Sequence, residues 1–192
     1  MAVTFDELKL AMEETGLKFM TDPDKEVVIV GIHGLNGVYH LLLTRVEDGE
    51  GLLLRVHGLA TLKGDHPFKT RVLETLLSEN HRVKVGRFCY DPSDGEIYLD
   101  WFLPLEGSCL TPQQLKRCVF VLLHMADEIS PRLRHLLETG EDLPSEQIGI
   151  RGLLRRLLSE GLRQGLLSEG DEVRLLRLLA QLEEGEEDSA SD

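Results

Sequence analysis

The chain has 192 residues, of which 42% are hydrophobic, 29% charged and 5% aromatic. That length suits one domain of roughly 100–150 residues with an appendage, or two small domains; the absence of a collagen period, a heptad array and any apolar run of about 18 residues excludes fibres and membrane spans. With 34 Asp and Glu against 21 Lys and Arg, a net charge of −13, the surface repels nucleic acid and anionic lipid, so neither is an expected partner, whereas basic protein partners are attracted.

The N-terminal run MAVTFDELKLAMEETG mixes acidic and apolar residues. It lacks the basic and continuous apolar regions of a secretory leader, and the expected compartment is the cytoplasm. Thr4 and Glu7 have capping-box spacing, with Phe5, Leu8, Ala11 and Met12 at helical intervals, so a first helix is predicted over 4–15, stopped by Gly16. Asp22-Pro23-Asp24 reads as a loop.

Strands are predicted at 26–32, 38–46 and 52–57, joined through Asn36-Gly37 and Asp48-Gly49, turn dipeptides that accept φ > 0 cheaply. Asp65 and Pro67 suggest the start of a helix at about 66–80, with Val72, Leu73, Leu76 and Leu77 as its apolar face. A second hairpin follows, 82–90 and 96–103, around Asp91–Gly95. Thr111-Pro112 then opens a helix with Leu115, Cys118, Val119, Leu122, Met125, Ala126 and Ile129 on one face; Pro131 is expected to break or kink it and Gly140 to stop it. The order α-βββ-α-ββ-α describes an α+β protein, an antiparallel sheet packed with helices. It is not a Rossmann fold, since parallel strands need long crossovers.

Beyond residue 142 the composition turns to Leu, Arg and Glu. Residues 143–184 read as an amphipathic helical hairpin, with LLSEG occurring twice, and 185–192 as an acidic disordered tail, leaving 1–142 as the α+β domain. The hairpin's leucines either pack in cis or on a dimer mate, or bind a partner protein; Leu175 and Leu179 are the candidate contacts.

Chemical motifs are scarce. The seven histidines form no H-x-x-x-H pair. His40 and His57 lie in adjacent predicted strands, but Arg55 disfavours a cation between them. Gly31, Gly34 and Gly37 suit hairpins and match no phosphate-binding loop. Cys89, Cys109 and Cys118 read as reduced thiols, and no base is placed for Ser108 or Cys109. Arg151, Arg155, Arg156 and Arg163 form a basic cluster best matched with Glu160 or the acidic tail. No metal or cofactor is expected. In the last predicted strand, alternation sends Ile97, Leu99, Trp101 and Leu103 to the core and Tyr98, Asp100 and Phe102 to the other face. Aromatics beside a charge suit either a solvated face or an interface.

The stretch from Leu76 to Leu133 carries Leu77 with Asn80, Gly86-Arg87-Phe88, Asp91, Asp94-Gly95-Glu96, Pro104-Leu105, Leu110-Thr111-Pro112, and Ala126-Asp127-Glu128 with Pro131. On these residues the chain, over roughly 1–138, resembles the YbjN family of bacterial proteins, described as candidate sensory transduction regulators. The element order is also that of type III secretion chaperones, to which YbjN-like proteins are similar in fold. The resemblance implies a non-enzymatic homodimer that acts by binding proteins, without catalytic residues to carry over. The segment after 142 departs from the family pattern. The expected function is a chaperone-like or regulatory protein-binding module that captures a protein partner on apolar surface, with Tyr98, Asp100, Phe102, Leu175 and Leu179 as candidate contacts. The alternatives are a regulator of a signalling or transcription complex, a small-ligand binder, or an enzyme without a recognisable motif.

Overall fold

The computed structural model describes residues 2–105 and 110–143. Ser108, Cys109, the arginine cluster and everything from residue 144 onward, with Leu175, Leu179, the two expected helices and the acidic tail, lie outside the described residues.

Helix α1 spans Phe5–Thr15. Its start is fixed locally: the Glu7 main-chain N–H donates to Thr4 Oγ1 (3.2 Å), and the Glu7 carboxylate accepts from the Thr4 N–H (2.8 Å). Six strands follow: β1 Met20–Asp22, β2 Val27–His33, β3 Val38–Val46, β4 Gly51–Thr61, β5 Arg87–Tyr90 and β6 Glu96–Pro104, with α2 (Lys69–Arg82) between β4 and β5 and α3 (Pro112–Thr139) closing the series. They form one antiparallel sheet in the order β1-β2-β3-β4-β6-β5. The chain leaves β4 through α2, enters the far edge as β5 and returns as β6 beside β4.

This is the α+β architecture expected from the sequence, with five local differences, the first being that β4 runs four residues beyond the strand expected at 52–57. The loop predicted at 22–24 is preceded by a short edge strand, β1, held by Met20, Thr21 and Asp22 pairing with Ile29, Val28 and Val27. Helix α2 begins three residues later than expected, and Asp65 does not cap it. Pro67 pushes His66 out of the helical region, so the chain turns first, with the Lys69 N–H donating to the His66 carbonyl (3.1 Å). The strand expected at 82–90 is shortened to 87–90 because α2 runs through Arg82. Helix α3 runs unbroken through Pro131.

The core lies between one face of the sheet and the helices. Leu41, Leu43, Leu52, Leu54, Val56, Ile97 and Leu99 are fully buried beneath Leu8 and Met12 of α1, Val72 of α2, and Leu115, Val119, Leu122 and Ala126 of α3. Edge strand β5 is clamped from outside. Asn80 donates to the Phe88 carbonyl (2.9 Å) and accepts from its N–H (2.7 Å), as a neighbouring strand would. Among the described residues no helix is long and apolar enough to cross a membrane.

Candidate functional site

Because side chains alternate along a strand, the residues opposite the core share the second face of the sheet, which no described helix covers. The register fixes its rows. Val27, Thr44, Leu53 and Phe102 lie side by side; Met20, Ile29, Leu42, Arg55, Asp100 and Arg87 form the next row; Gly31, His40 and His57 begin a third. Thr44 apart, the first row and the β1 side of the second are apolar, while the β5 side is charged and aromatic.

The apolar part is open. Met20 is 66% exposed and Phe102 44%, with Ile29, Leu42 and Leu53 half-buried between them. Phe102 keeps its place because its diagonal neighbour is a glycine: a Cβ on Gly51 would lie 2.4 Å from Phe102 Cε2. The ring therefore rests over bare backbone at the sheet surface.

The charged part is internally satisfied. Arg55 and Asp100 face each other across β4 and β6 and form a bidentate pair, Nε to Oδ1 at 2.6 Å and Nη2 to Oδ2 at 2.7 Å. The guanidinium also lies 4.2 Å from the Tyr98 ring centroid. The Asp100 carboxylate beside it holds the guanidinium more firmly protonated than usual. Beyond it, His57 Nδ1 lies 3.0 Å from the Glu96 carboxylate, which also accepts from the Gly58 N–H at 2.8 Å. His40 and His57 meet in register, as their predicted strands suggested. Among the described residues no three His, Cys, Asp or Glu side chains group to hold a metal.

The one thiol on this face among the described residues, Cys89, is not activated. Burial raises the Cys89 thiol, with the Asp100 charge acting the same way, so the thiolate is disfavoured where a reactive cysteine needs it favoured. The arrangement can instead bind. It offers apolar surface bounded by polar groups that already satisfy one another and lose little when water leaves. Of the residues expected on this face, Tyr98 and Asp100 are tied up with Arg55, and Phe102 is presented outward. Sequence reasoning missed Met20, Leu53 and Gly51, which join Phe102 only through strand pairing.

No family model matches the chain, and no curated protein matches its sequence. Among solved structures its fold is similar to that of YbjN, a candidate transcription regulator from E. coli, at 13% identity and a TM-score of 0.52, over 74% of this chain and 97% of that one. It is similar also to a chain in the ExsC–ExsE complex, at 18% identity and a TM-score of 0.50, over 69% of this chain and 97% of that one. A looser likeness, at 20% identity and a TM-score of 0.44 over 65% and 94%, is to the HopA1–SchA chaperone–effector complex. The YbjN-like α+β fold expected from the sequence is the fold found, shared with YbjN and with the chain of the ExsC–ExsE complex.

Proposed function

We propose that this chain is a non-enzymatic protein-binding module, chaperone-like in action, that captures an apolar segment of a protein partner on the uncovered face of its sheet. The observation that carries the reading is the apolar half of that face, where Met20 and Phe102 stand exposed beside Ile29, Leu42 and Leu53. The net charge of −13 favours a partner whose apolar segment is flanked by basic residues. In this reading the protein works in the cytoplasm as a homodimer, and the leucine-rich segment 143–184, with Leu175 and Leu179, serves as a further partner-contacting element.

The fold of YbjN, a candidate transcription regulator, supports a second reading, in which the same capture alters a regulatory complex. Identifying the partner separates the two. The test is affinity capture from the source organism's lysate with the full chain, its Phe102→Asp and Met20→Asp variants, and Leu10→Asp on the exposed side of α1. One protein retained by the wild type and by Leu10→Asp, and lost by both face variants, is the expected result. Equal capture by all four chains contradicts it.

A further inference from the structure

A second recess lies at the end of the sheet, away from the apolar rows. Strands β3 and β4 pair from Val46 and Gly51 as far as His40 and His57 and then part. Strand β3 stays with β2, pairing Tyr39 with Ile32 and Val38 with His33. Strand β4 is turned away by a bulge between Val56 and Ala60, where Gly58 takes φ +67°, a left-handed conformation that L side chains adopt only with strain. Beyond the bulge Ala60 and Thr61 pair again with β6, and Gly58–Thr61 has no described ladder partner on the β3 side.

The gap is a cleft of about 270 Å³ roofed by α3. Val38, Leu59, Ala60 and Leu137 give it apolar walls, while Tyr39 and Ser130 supply hydroxyls and Arg134 a guanidinium. The Tyr39 hydroxyl donates to Ser130 Oγ (3.0 Å), which donates to the Ala126 carbonyl (2.6 Å), so both are fixed in place. Arg134 is exposed and spends one N–H on the Asn36 carbonyl, at 3.3 Å. Among the described residues no carboxylate lies within ion-pair distance of it. The neighbouring Asp127 carboxylate is occupied by the main-chain N–H groups of Leu35 and Asn36.

We propose that this cleft binds the carboxyl-terminal residue of a peptide chain, with an aliphatic side chain at that position. Three features select that ligand together. The guanidinium has donors left for a bidentate carboxylate contact. The Gly58 N–H is spent on the Glu96 carboxylate, but the side of Leu59–Thr61 turned from β6 can pair with the preceding peptide group as an added strand would. The apolar walls and the volume, below the roughly 300–1,000 Å³ of drug-sized pockets, suit one aliphatic side chain. The site lies apart from the apolar rows of the uncovered sheet face and does not depend on what those rows bind.

The experiment is fluorescence polarisation with the full-length protein and a fluorescein-labelled flexible pentapeptide ending in leucine. The peptide is used as the free acid and as the carboxamide, with sodium hexanoate as competitor. The free acid is expected to bind at least tenfold more tightly than the amide. Arg134→Gln is expected to remove at least tenfold of that affinity with an unchanged thermal midpoint. Equal binding of acid and amide overturns the proposal on the unmodified protein alone, and so does the absence of saturable binding. Hexanoate competing as well as the peptide acid overturns the peptide assignment, since the strand edge is then not read.

Discussion

The Asn36 side-chain amide donates to the main-chain carbonyl of Asp127 at 2.9 Å, across 91 positions of sequence. That carbonyl sits four residues before Pro131, whose ring nitrogen has no hydrogen to give it. The loop between β2 and β3 thus supplies the bond that proline withholds, and the Asp127 carboxylate returns the contact by accepting from the Leu35 and Asn36 N–H groups at 3.1 and 2.8 Å. The helix passes through Pro131 unbroken because the sheet side completes it.

Asn36→Ala should therefore cost about 0.5–1.5 kcal/mol, the net contribution of one hydrogen bond at a half-buried site. In a Pro131→Ala background the helix supplies its own N–H, and the cost of Asn36→Ala should shrink by about 1 kcal/mol. A double-mutant cycle in urea checks this. Strict additivity would show that Pro131 and Asn36 act independently.

Phe102 rests over Gly51, where a Cβ would come within 2.4 Å of the ring. The ring is exposed and can swing aside, so Gly51→Ala should lower stability by less than about 1 kcal/mol, within the range of surface substitutions plus a small strain term. Partner capture should fall as it does for Phe102→Asp. Urea midpoints and capture assays on the same preparations separate the two effects; full capture by Gly51→Ala would mean the ring's position is immaterial.

The Arg55–Asp100 pair is mostly withdrawn from water, its side chains 31% and 19% exposed. Removing one member strands the other, so Asp100→Ala alone should cost about 1–3 kcal/mol. Replacing both, as Arg55→Leu with Asp100→Val, should be near neutral or stabilising, because neither desolvated charge remains. Chemical denaturation of the two variants decides it. A double variant as unstable as the single one would show that the pair itself holds the sheet together.

Burial pushes the Tyr39 phenol up to about 12; Asp127 adds to the rise and the hydrogen bond with Ser130 opposes it. An unfolded tyrosine ionises near pH ~10. Between about pH 10 and 12 the unfolded chain gives up this proton before the folded one does, so the contribution to stability is whole below that window and is lost as the pH rises through it. Tyr39→Phe should flatten this part of the alkaline stability loss, read from urea midpoints at stepped pH. An unchanged slope would place the alkaline sensitivity elsewhere.

Much of the fold was legible because its punctuation is local. The Thr4–Glu7 and Thr111–Gln114 capping boxes and the glycines after α1 and α3 lie within a few residues of what they control. The residues that carried the family resemblance prove to be fold determinants: Asn80 clamps β5, Asp91 and Asp94 bond the hairpin turn, and Asp127 and Pro131 receive the β2–β3 loop. Strand β1 was illegible because three residues ending at Asp22-Pro23 carry no period of their own and exist by pairing with β2. The site divides in the same way. Alternation along β6 placed Tyr98, Asp100 and Phe102 on one face, but which of them is available depends on Arg55, 45 residues away. The end of β4, where the cleft opens, depends on a bulge that only pairing with β6 reveals.

Site-specific photo-crosslinking in the source organism reads out whether the uncovered sheet face holds the partner. A photoreactive phenylalanine analogue is placed at Phe102 on that face, or at Leu10 on the exposed side of α1, in otherwise unmodified full-length protein. One discrete adduct with a second protein is expected from position 102 and none from position 10. The same adduct from both positions, or from Leu10 alone, would contradict that expectation.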